Sequence, residues 1–183
     1  MVTDVTKAVF LAARLADPTR PVLDASGYIH RLAESDLYDC HDYGTPEEVA
    51  ENLKKLTPGG DYVCNCDPVL NTPWRGQPFF LSEIGGMKFP PDHQEANAWG
   101  YGDGPRTQAE FYDRFARLLA VIRHDARIFG YCYTQLTDVF QEVNGLYNFD
   151  RTPKFDAVKL HRLQQQPSAY EQQSPTIVKE NEA

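Results

Sequence analysis

Residues 78–86 read Pro-Phe-Phe-Leu-Ser-Glu-Ile-Gly-Gly, and this stretch decides the expected fold. Three apolar residues in succession after a proline predict a strand covered on both faces, as in the parallel sheet of an α/β protein. Glu83 follows where that strand runs out, and Gly85 and Gly86 let the backbone turn sharply and a ligand approach closely. A carboxylate at the carboxyl end of such a strand is a candidate catalytic group. The alternative role for Glu83 is to cap a neighbouring helix, and the residues alone leave both roles open.

The composition is that of one globular domain. The 183 residues are 42% hydrophobic and 24% charged, which is enough for a single core. The formal net charge of −8 argues against nucleic acid or an anionic membrane surface as a partner. No apolar run reaches membrane-spanning length, and no signal-peptide pattern opens the chain. We therefore expect a cytoplasmic protein with no nucleic-acid and no membrane partner.

The cysteines do not form a pattern of their own. Four of them, Cys40, Cys64, Cys66 and Cys132, are too few and too scattered for a disulfide framework. Cys64 and Cys66 are separated by one residue, which is tighter than the usual zinc spacing, and no second pair follows. We expect free thiols here rather than a metal site, and we expect no cofactor.

Strands and helices alternate along the chain. The patterns predict strands at 21–25, 36–43, 78–84 and 128–135, and helices at 3–16, 46–56, 108–122 and 155–163. Thr45 and Thr107 each stand three residues before a glutamate, which is the capping-box signal for a helix start. A long loop at 87–106 separates two of these units, and loops of that length are usually functional. The polar tail at 164–183 is predicted to be disordered.

Four strand–helix units make half of an eight-stranded barrel or a small open sheet. Four parallel strands cannot close on themselves, so two sheet edges would stay unpaired unless something else covered them.

Six segments occur in the order and at the spacing found in one enzyme family. They are TRPV (19–22), DCHDY (39–43), FLSEIGG (80–86), GYCYTQLTDV (130–139), QEVNGL (141–146) and DRTPK (150–154). Together they resemble glycoside hydrolase family 2, which contains β-galactosidases, β-glucuronidases and β-mannosidases. The resemblance covers residues 1–163 and implies an α/β fold, namely the C-terminal half, strands five to eight, of a TIM barrel.

The resemblance implies a retaining hydrolysis that uses two glutamates. Glu83 matches the nucleophile, which forms a covalent glycosyl-enzyme intermediate that water later hydrolyses. Tyr43 matches a tyrosine that the family places beside the nucleophile. Asp39 and His41 lie on the same predicted strand face as Tyr43, and we expect all three to contact sugar hydroxyls; a structural role is the alternative.

Aromatic residues supply the other expected sugar contacts. Tyr133 stands where relatives commonly have a tryptophan that floors the reacting subsite, although packing in the core is its alternative role. Trp99 and Tyr101 in the loop after Glu83 are expected to line outer subsites. Trp74 is a weaker candidate, because it can simply anchor its own loop.

The family's acid/base glutamate does not occur in this chain. In relatives it follows an asparagine and precedes the first helix, whereas the Asn-Glu pair here is Asn181-Glu182 in the tail. The resemblance therefore implies a fragment of an exo-acting, retaining β-glycosidase whose acid/base lies outside this chain. The alternatives are an inactive carbohydrate-binding remnant and a nonfunctional gene fragment.

The expected partners are a carbohydrate substrate and a piece of protein that completes the barrel. That piece is either the missing N-terminal half or a second copy of this chain. The acidic residues Asp39, Asp42 and Asp138 near the rim disfavour an anionic sugar such as glucuronate.

Overall fold

The computed structural model describes residues 3–60, 69–90 and 97–173, and it is organised around a small parallel sheet. Three strands, β1 (Tyr38–Asp42), β2 (Phe79–Gly85) and β3 (Ile128–Thr134), pair in that order, so β2 is central. These strands confirm three of the four predicted ones. The fold class is therefore α/β.

Five helices among the described residues accompany the sheet. They are α1 (Thr3–Ala16), α2 (Pro46–Lys54), α3 (Gln108–His124), α4 (Ala157–Gln164) and α5 (Ala169–Gln173). The first four confirm the predicted helices to within a few residues. Within the described ranges, none of the helices is both long enough and apolar enough to cross a membrane.

The two predicted capping boxes differ in detail. At the start of α2, Thr45 accepts from the backbone N–H of Glu48, and the Glu48 carboxylate accepts from the N–H of Thr45. At the start of α3, Thr107 accepts from the N–H of Glu110, but the Glu110 carboxylate accepts from the N–H of Arg106 instead. Both helices therefore begin where the sequence predicts.

The strand predicted at 21–25 is wrong, because this segment forms a loop. The Asp24 carboxylate accepts from the backbone N–H groups of Arg31 and Leu32, and the Asp36 carboxylate accepts from that of Val22. Side chains thus take backbone donors that a strand ladder would have used. Pro21 has no N–H to offer a ladder.

The prediction of a disordered tail at 164–183 is also wrong in part. Ser168 and Glu171 cap the start of α5 reciprocally, since the N–H of each residue donates to the side chain of the other. The Tyr170 ring then packs against Phe129 of β3, with ring centroids 6.2 Å apart. Residues 174–183 lie outside the described ranges.

The core lies on one face of the sheet, between the strands and α2, α3 and α4. Cys40, Leu81 and Ile84 are fully buried there against side chains of the helices, including Phe115 and Leu119. The opposite face carries Phe80 and Phe129, whose rings stack 5.3 Å apart, and Phe129 remains 37% exposed. Parallel sheets are usually covered on both faces. We call this second side of the sheet the open face.

A buried ion pair joins three loops at the carboxyl ends of the strands. Lys154 Nζ lies 2.6 Å from Asp138 Oδ1, and it also donates to the carbonyls of Phe89 and Val143. Asp138 Oδ1 accepts in addition from the N–H of Gly145. Burial lowers the pKa of the Lys154 ammonium, and the charge of Asp138 opposes that effect. Asp138 is therefore a neutralised structural residue, not a free charge on the rim.

Candidate active site

A β-bulge in β2 determines where Glu83 points. Leu81 pairs with Cys40 and Glu83 pairs with His41, so β2 advances two residues where β1 advances one. Side chains alternate along a regular strand, and Glu83 would then share the core face with Leu81. The bulge places Glu83 on the open face instead, beside His41, which is how bulges commonly redirect a side chain.

Two side chains at the carboxyl end of β1 lie beside the Glu83 carboxylate, and one of them hydrogen-bonds to it. The Tyr43 hydroxyl donates to Glu83 Oε2, and His41 Nε2 lies 3.6 Å from Glu83 Oε1. The Glu83 side chain is 36% exposed. His41 is only 5% exposed, and neither of its ring nitrogens has a hydrogen-bond partner among the described residues. The structure thus brings three predicted site residues together and leaves one of them with unused hydrogen-bonding capacity.

The glycine pair after Glu83 makes room for aromatic rings. Gly85 and Gly86 have φ of +83° and +63°, a region that favours glycine. A Cβ on Gly85 would lie 2.2 Å from the Tyr133 ring, and one on Gly86 would lie 2.5 Å from Tyr101 and 2.9 Å from Tyr43. The sharp turn predicted from the sequence is present, and three tyrosine rings approach it closely.

An aromatic wall continues from Glu83. The Tyr43 and Tyr101 rings stack with centroids 3.5 Å apart and planes 2° apart. The Trp99 ring meets Tyr101 edge-on at 5.6 Å and is 40% exposed. Burial raises the pKa of Tyr101, and the negative charges of Glu142 and Glu83 raise it further. Both carboxylates therefore act on the same phenol.

Asp39 belongs to a buried network centred on His30. His30 Nδ1 lies 2.8 Å from Asp24 Oδ1, and Nε2 lies 3.2 Å from Asp39 Oδ1 and 2.9 Å from the Asp39 carbonyl oxygen. Burial alone would lower the pKa of His30, but hydrogen bonds to Asp24 and Asp39 outweigh it and raise that pKa to about 9. The imidazolium thus lies between two carboxylates and supplies a shared counter-charge to Asp24 and to the fully buried Asp39.

The His30 network is expected to make stability depend on pH. A histidine has a pKa of about 6.5 when unfolded, so its contribution is complete below pH 6.5 and is lost as the pH rises through about 9. Asp24, whose pKa is lowered by these bonds against the effect of burial, loses its contribution only below about pH 4. We expect the free energy of unfolding to fall by on the order of 3 kcal/mol between pH 6.5 and 9.5.

Urea denaturation across that pH range measures the loss, and NMR titration of the His30 ring protons in the wild-type chain gives its pKa directly. His124→Gln, at an exposed position, should keep the same pH slope. A His30 pKa near 6.5 would contradict the expectation.

Two predicted aromatic contacts lie in or near the core. The Tyr133 ring packs edge-on against Phe115, with centroids 5.3 Å apart, and burial raises the pKa of its phenol. Trp74 is buried, and its Nε1–H donates to the Gln77 carbonyl 2.7 Å away, so it anchors its own loop. The Tyr133 ring therefore lies close to Gly85, two residues after Glu83, but it packs against the core.

Three residues beside the site were not predicted. A Cβ on Gly27, whose φ is +71°, would lie 1.9 Å from the His41 ring, and Tyr28 meets that ring edge-on at 5.0 Å. Glu142 pairs with Trp99 through the backbone. Gly27 and Tyr28 follow directly after the segment 21–25, and the incorrect strand prediction there hides the turn signal of Ser26-Gly27. The predicted thiols of Cys64 and Cys66 lie outside the described residues.

Comparison with known proteins identifies the fold. No protein-family model and no curated sequence matches the chain. Among solved structures, a β-D-glucuronidase from Dictyoglomus thermophilum matches with a TM-score of 0.56 at 14% sequence identity. The match covers 91% of this chain and 29% of that one, so this chain spans less than a third of the neighbour's length. This chain therefore has a glycoside hydrolase-like fold.

Proposed function

We propose that this chain is the C-terminal barrel half of a retaining, exo-acting β-glycosidase of family 2, with Glu83 as the nucleophile. The observation that carries the proposal is the hydrogen bond from Tyr43 to Glu83 on the open face of the sheet. A side-chain donor fixes the carboxylate orientation, and the partial exposure of Glu83 leaves it reachable for a sugar. The fold likeness to a β-glucuronidase chain supports the same assignment.

His41 supports a sugar-binding role for this end of the sheet. Buried polar atoms are normally hydrogen-bonded, and an exception calls for a specific reason. A sugar hydroxyl between His41 Nε2 and Glu83 Oε1, which are 3.6 Å apart, would satisfy both side chains. In a double-displacement mechanism, Glu83 attacks the anomeric carbon, the bond to the leaving group breaks, and water later hydrolyses the glycosyl ester.

The open face of the sheet supports a second protein piece as partner. Phe80 and Phe129 lie on that face. Among the described strands, β3 pairs only with β2, so its other edge has no neighbouring strand. The piece that covers this face, either an N-terminal half or a second copy of the chain, is proposed to carry the acid/base group. Such a group contributes about 10²- to 10⁴-fold to the rate.

Glu83 should be labelled by a mechanism-based reagent even without that partner. Dinitrophenyl deoxyfluoro-β-glycosides of galactose, glucose, mannose and glucuronate have a leaving group that departs as a stable phenolate, so no general acid is needed. The Glu83 oxygen bonds to the anomeric carbon, the phenolate leaves with the electron pair, and the fluorine slows hydrolysis of the ester. Intact mass followed by peptide mapping locates the label.

The controls separate the possible outcomes. Glu83→Gln should abolish labelling, and Glu51→Gln, at an exposed position of α2, should label like the wild type. A label on another residue overturns the assignment of Glu83. A folded chain that binds sugars but takes no label from the panel is instead the carbohydrate-binding remnant. Sedimentation of the labelled sample tells a dimer from a monomer that needs a separate half.

A further inference from the structure

We infer that Trp99 and Glu142 form a second sugar subsite beside Glu83, and that it takes an uncharged sugar residue and rejects a uronate. This inference rests on the proposed function. In an exo-acting enzyme a single sugar lies on the attacked side, so a second subsite must hold the leaving-group residue. The implied substrate is a β-linked disaccharide or a longer oligosaccharide with a neutral sugar next to the bond that is cut.

Backbone pairing places the two side chains on one face. The Trp99 N–H donates to the Gln141 carbonyl at 2.8 Å, and the Val143 N–H donates to the Trp99 carbonyl at 2.9 Å. These bonds make a parallel bridge between Trp99 and Glu142, in which the two paired side chains point to the same side. Tyr101, two residues after Trp99, shares that side and stacks on Tyr43. The subsite is therefore continuous with the aromatic wall that ends at Glu83.

Trp99 and Glu142 offer the two kinds of contact that sugars require, a stacking surface and a hydrogen-bond acceptor. The exposed part of the Trp99 ring can stack against the apolar C–H face of a pyranose. Asn144 Nδ2 donates to Glu142 Oε1 at 3.1 Å, which orients the carboxylate as an acceptor for neighbouring hydroxyls. The ring nitrogens of the buried His41 have no hydrogen-bond partner in the described part of the chain, and the Glu83 carboxylate is 3.6 Å away, so His41 points independently to a ligand at the adjoining end of the wall.

The charge near this wall is negative. Glu142 and Glu83 both act on the Tyr101 phenol. Among the described residues, Lys88 is a cation near the wall, and its ammonium donates to the Ala98 carbonyl at 3.0 Å. Lys88 follows Met87, which pairs with Tyr101, so strand alternation directs its side chain to the opposite side. A uronate carboxylate would therefore meet like charge.

Asp138 does not contribute to this repulsion, because Lys154 neutralises it, which corrects part of the sequence-based argument against glucuronate. Asp39 is fully buried and shares the charge of His30 with Asp24. Glu142 supplies the negative charge that the argument needs.

Tryptophan fluorescence tests the subsite directly. The chain has two tryptophans, so Trp74→Phe leaves Trp99 as the single reporter. Lactose or cellobiose should shift its emission and protect it from acrylamide, whereas galactose and glucose should not. Trp99→Ala should weaken disaccharide binding about tenfold, as measured by calorimetry. Cellobiouronic acid with its uronate at the reducing end should bind at least tenfold more weakly than cellobiose.

Glu142→Gln should narrow the difference between the neutral and the acidic disaccharide, and Gln141→Ala should leave it unchanged because the backbone, not the side chain, of Gln141 bonds to Trp99. Equal binding of monosaccharides and disaccharides with no change in Trp99 emission would overturn the subsite. So would tighter binding of the uronate. Neither result affects labelling of Glu83, and a failure of that labelling alone would overturn the proposed function.

Discussion

Replacement of Lys154 by methionine should lower the free energy of unfolding by about 3–5 kcal/mol, the usual cost of breaking a buried ion pair on one side. All three ammonium protons of Lys154 are used, by Asp138 and by the carbonyls of Phe89 and Val143. Methionine fills a similar volume but donates nothing, so the Asp138 carboxylate would remain buried without its counter-charge. Urea denaturation followed by circular dichroism measures the loss.

Two further variants identify the cause of that loss. Adding Asp138→Asn to Lys154→Met removes the orphaned charge and keeps an acceptor for the Gly145 N–H, so part of the stability should return. Arg117→Met breaks an exposed pair with Glu47 and should cost at most about 1 kcal/mol. A loss of similar size in Lys154→Met and Arg117→Met would show that burial of the pair is not what matters.

Gly85→Ala should also lower the free energy of unfolding strongly. A left-handed backbone conformation costs a non-glycine residue about 1–2 kcal/mol. The new methyl group would also lie 2.2 Å from the Tyr133 ring, which packs against Phe115, and overpacking of this kind costs about 1–3 kcal/mol more. Thermal or urea unfolding should show the sum of the two costs.

Gly59→Ala is the matched control, because the chain has a similar φ of +78° there and a Cβ would meet nothing within 4 Å. It should show the backbone cost alone. The difference between the two variants measures the contact with Tyr133. If both variants lose the same stability, the Tyr133 ring moves aside at no cost and the close packing is not a constraint.

Local signals explain why most of the fold could be predicted. Threonine caps and apolar periodicity identify α2 and α3, and these depend on residues within one or two turns. The strand prediction at 21–25 failed because the Asp24 carboxylate accepts from backbone N–H groups seven and eight residues away, which no local pattern shows. α5 was not predicted because it is stabilised by a tertiary contact, the packing of Tyr170 against Phe129.

The sequence predicts which residues form the candidate site better than it predicts how they are arranged. Strand ends and the family resemblance pointed to Glu83, His41 and Tyr43, and the structure brings them together. Alternation alone cannot reveal the bulge that turns Glu83 outward. Glu142 also escaped prediction, because its relation to Trp99 arises from pairing between two irregular loops.

The bulge in β2 has a consequence for how this site can vary. The core positions Leu81 and Ile84 are three residues apart, so a regular strand could not place both of them against the helices, and the bulge allows it. The Ser82 hydroxyl makes one bond, of 3.3 Å, to the Cys40 carbonyl, so chemical change at this position is compatible with the site. Deletion of Ser82 would leave one residue between the two core positions, and simple alternation would then still turn the carboxylate away from the helices. The direction of Glu83 is therefore set by its buried neighbour Ile84, because a residue next to a core-facing one faces the other way.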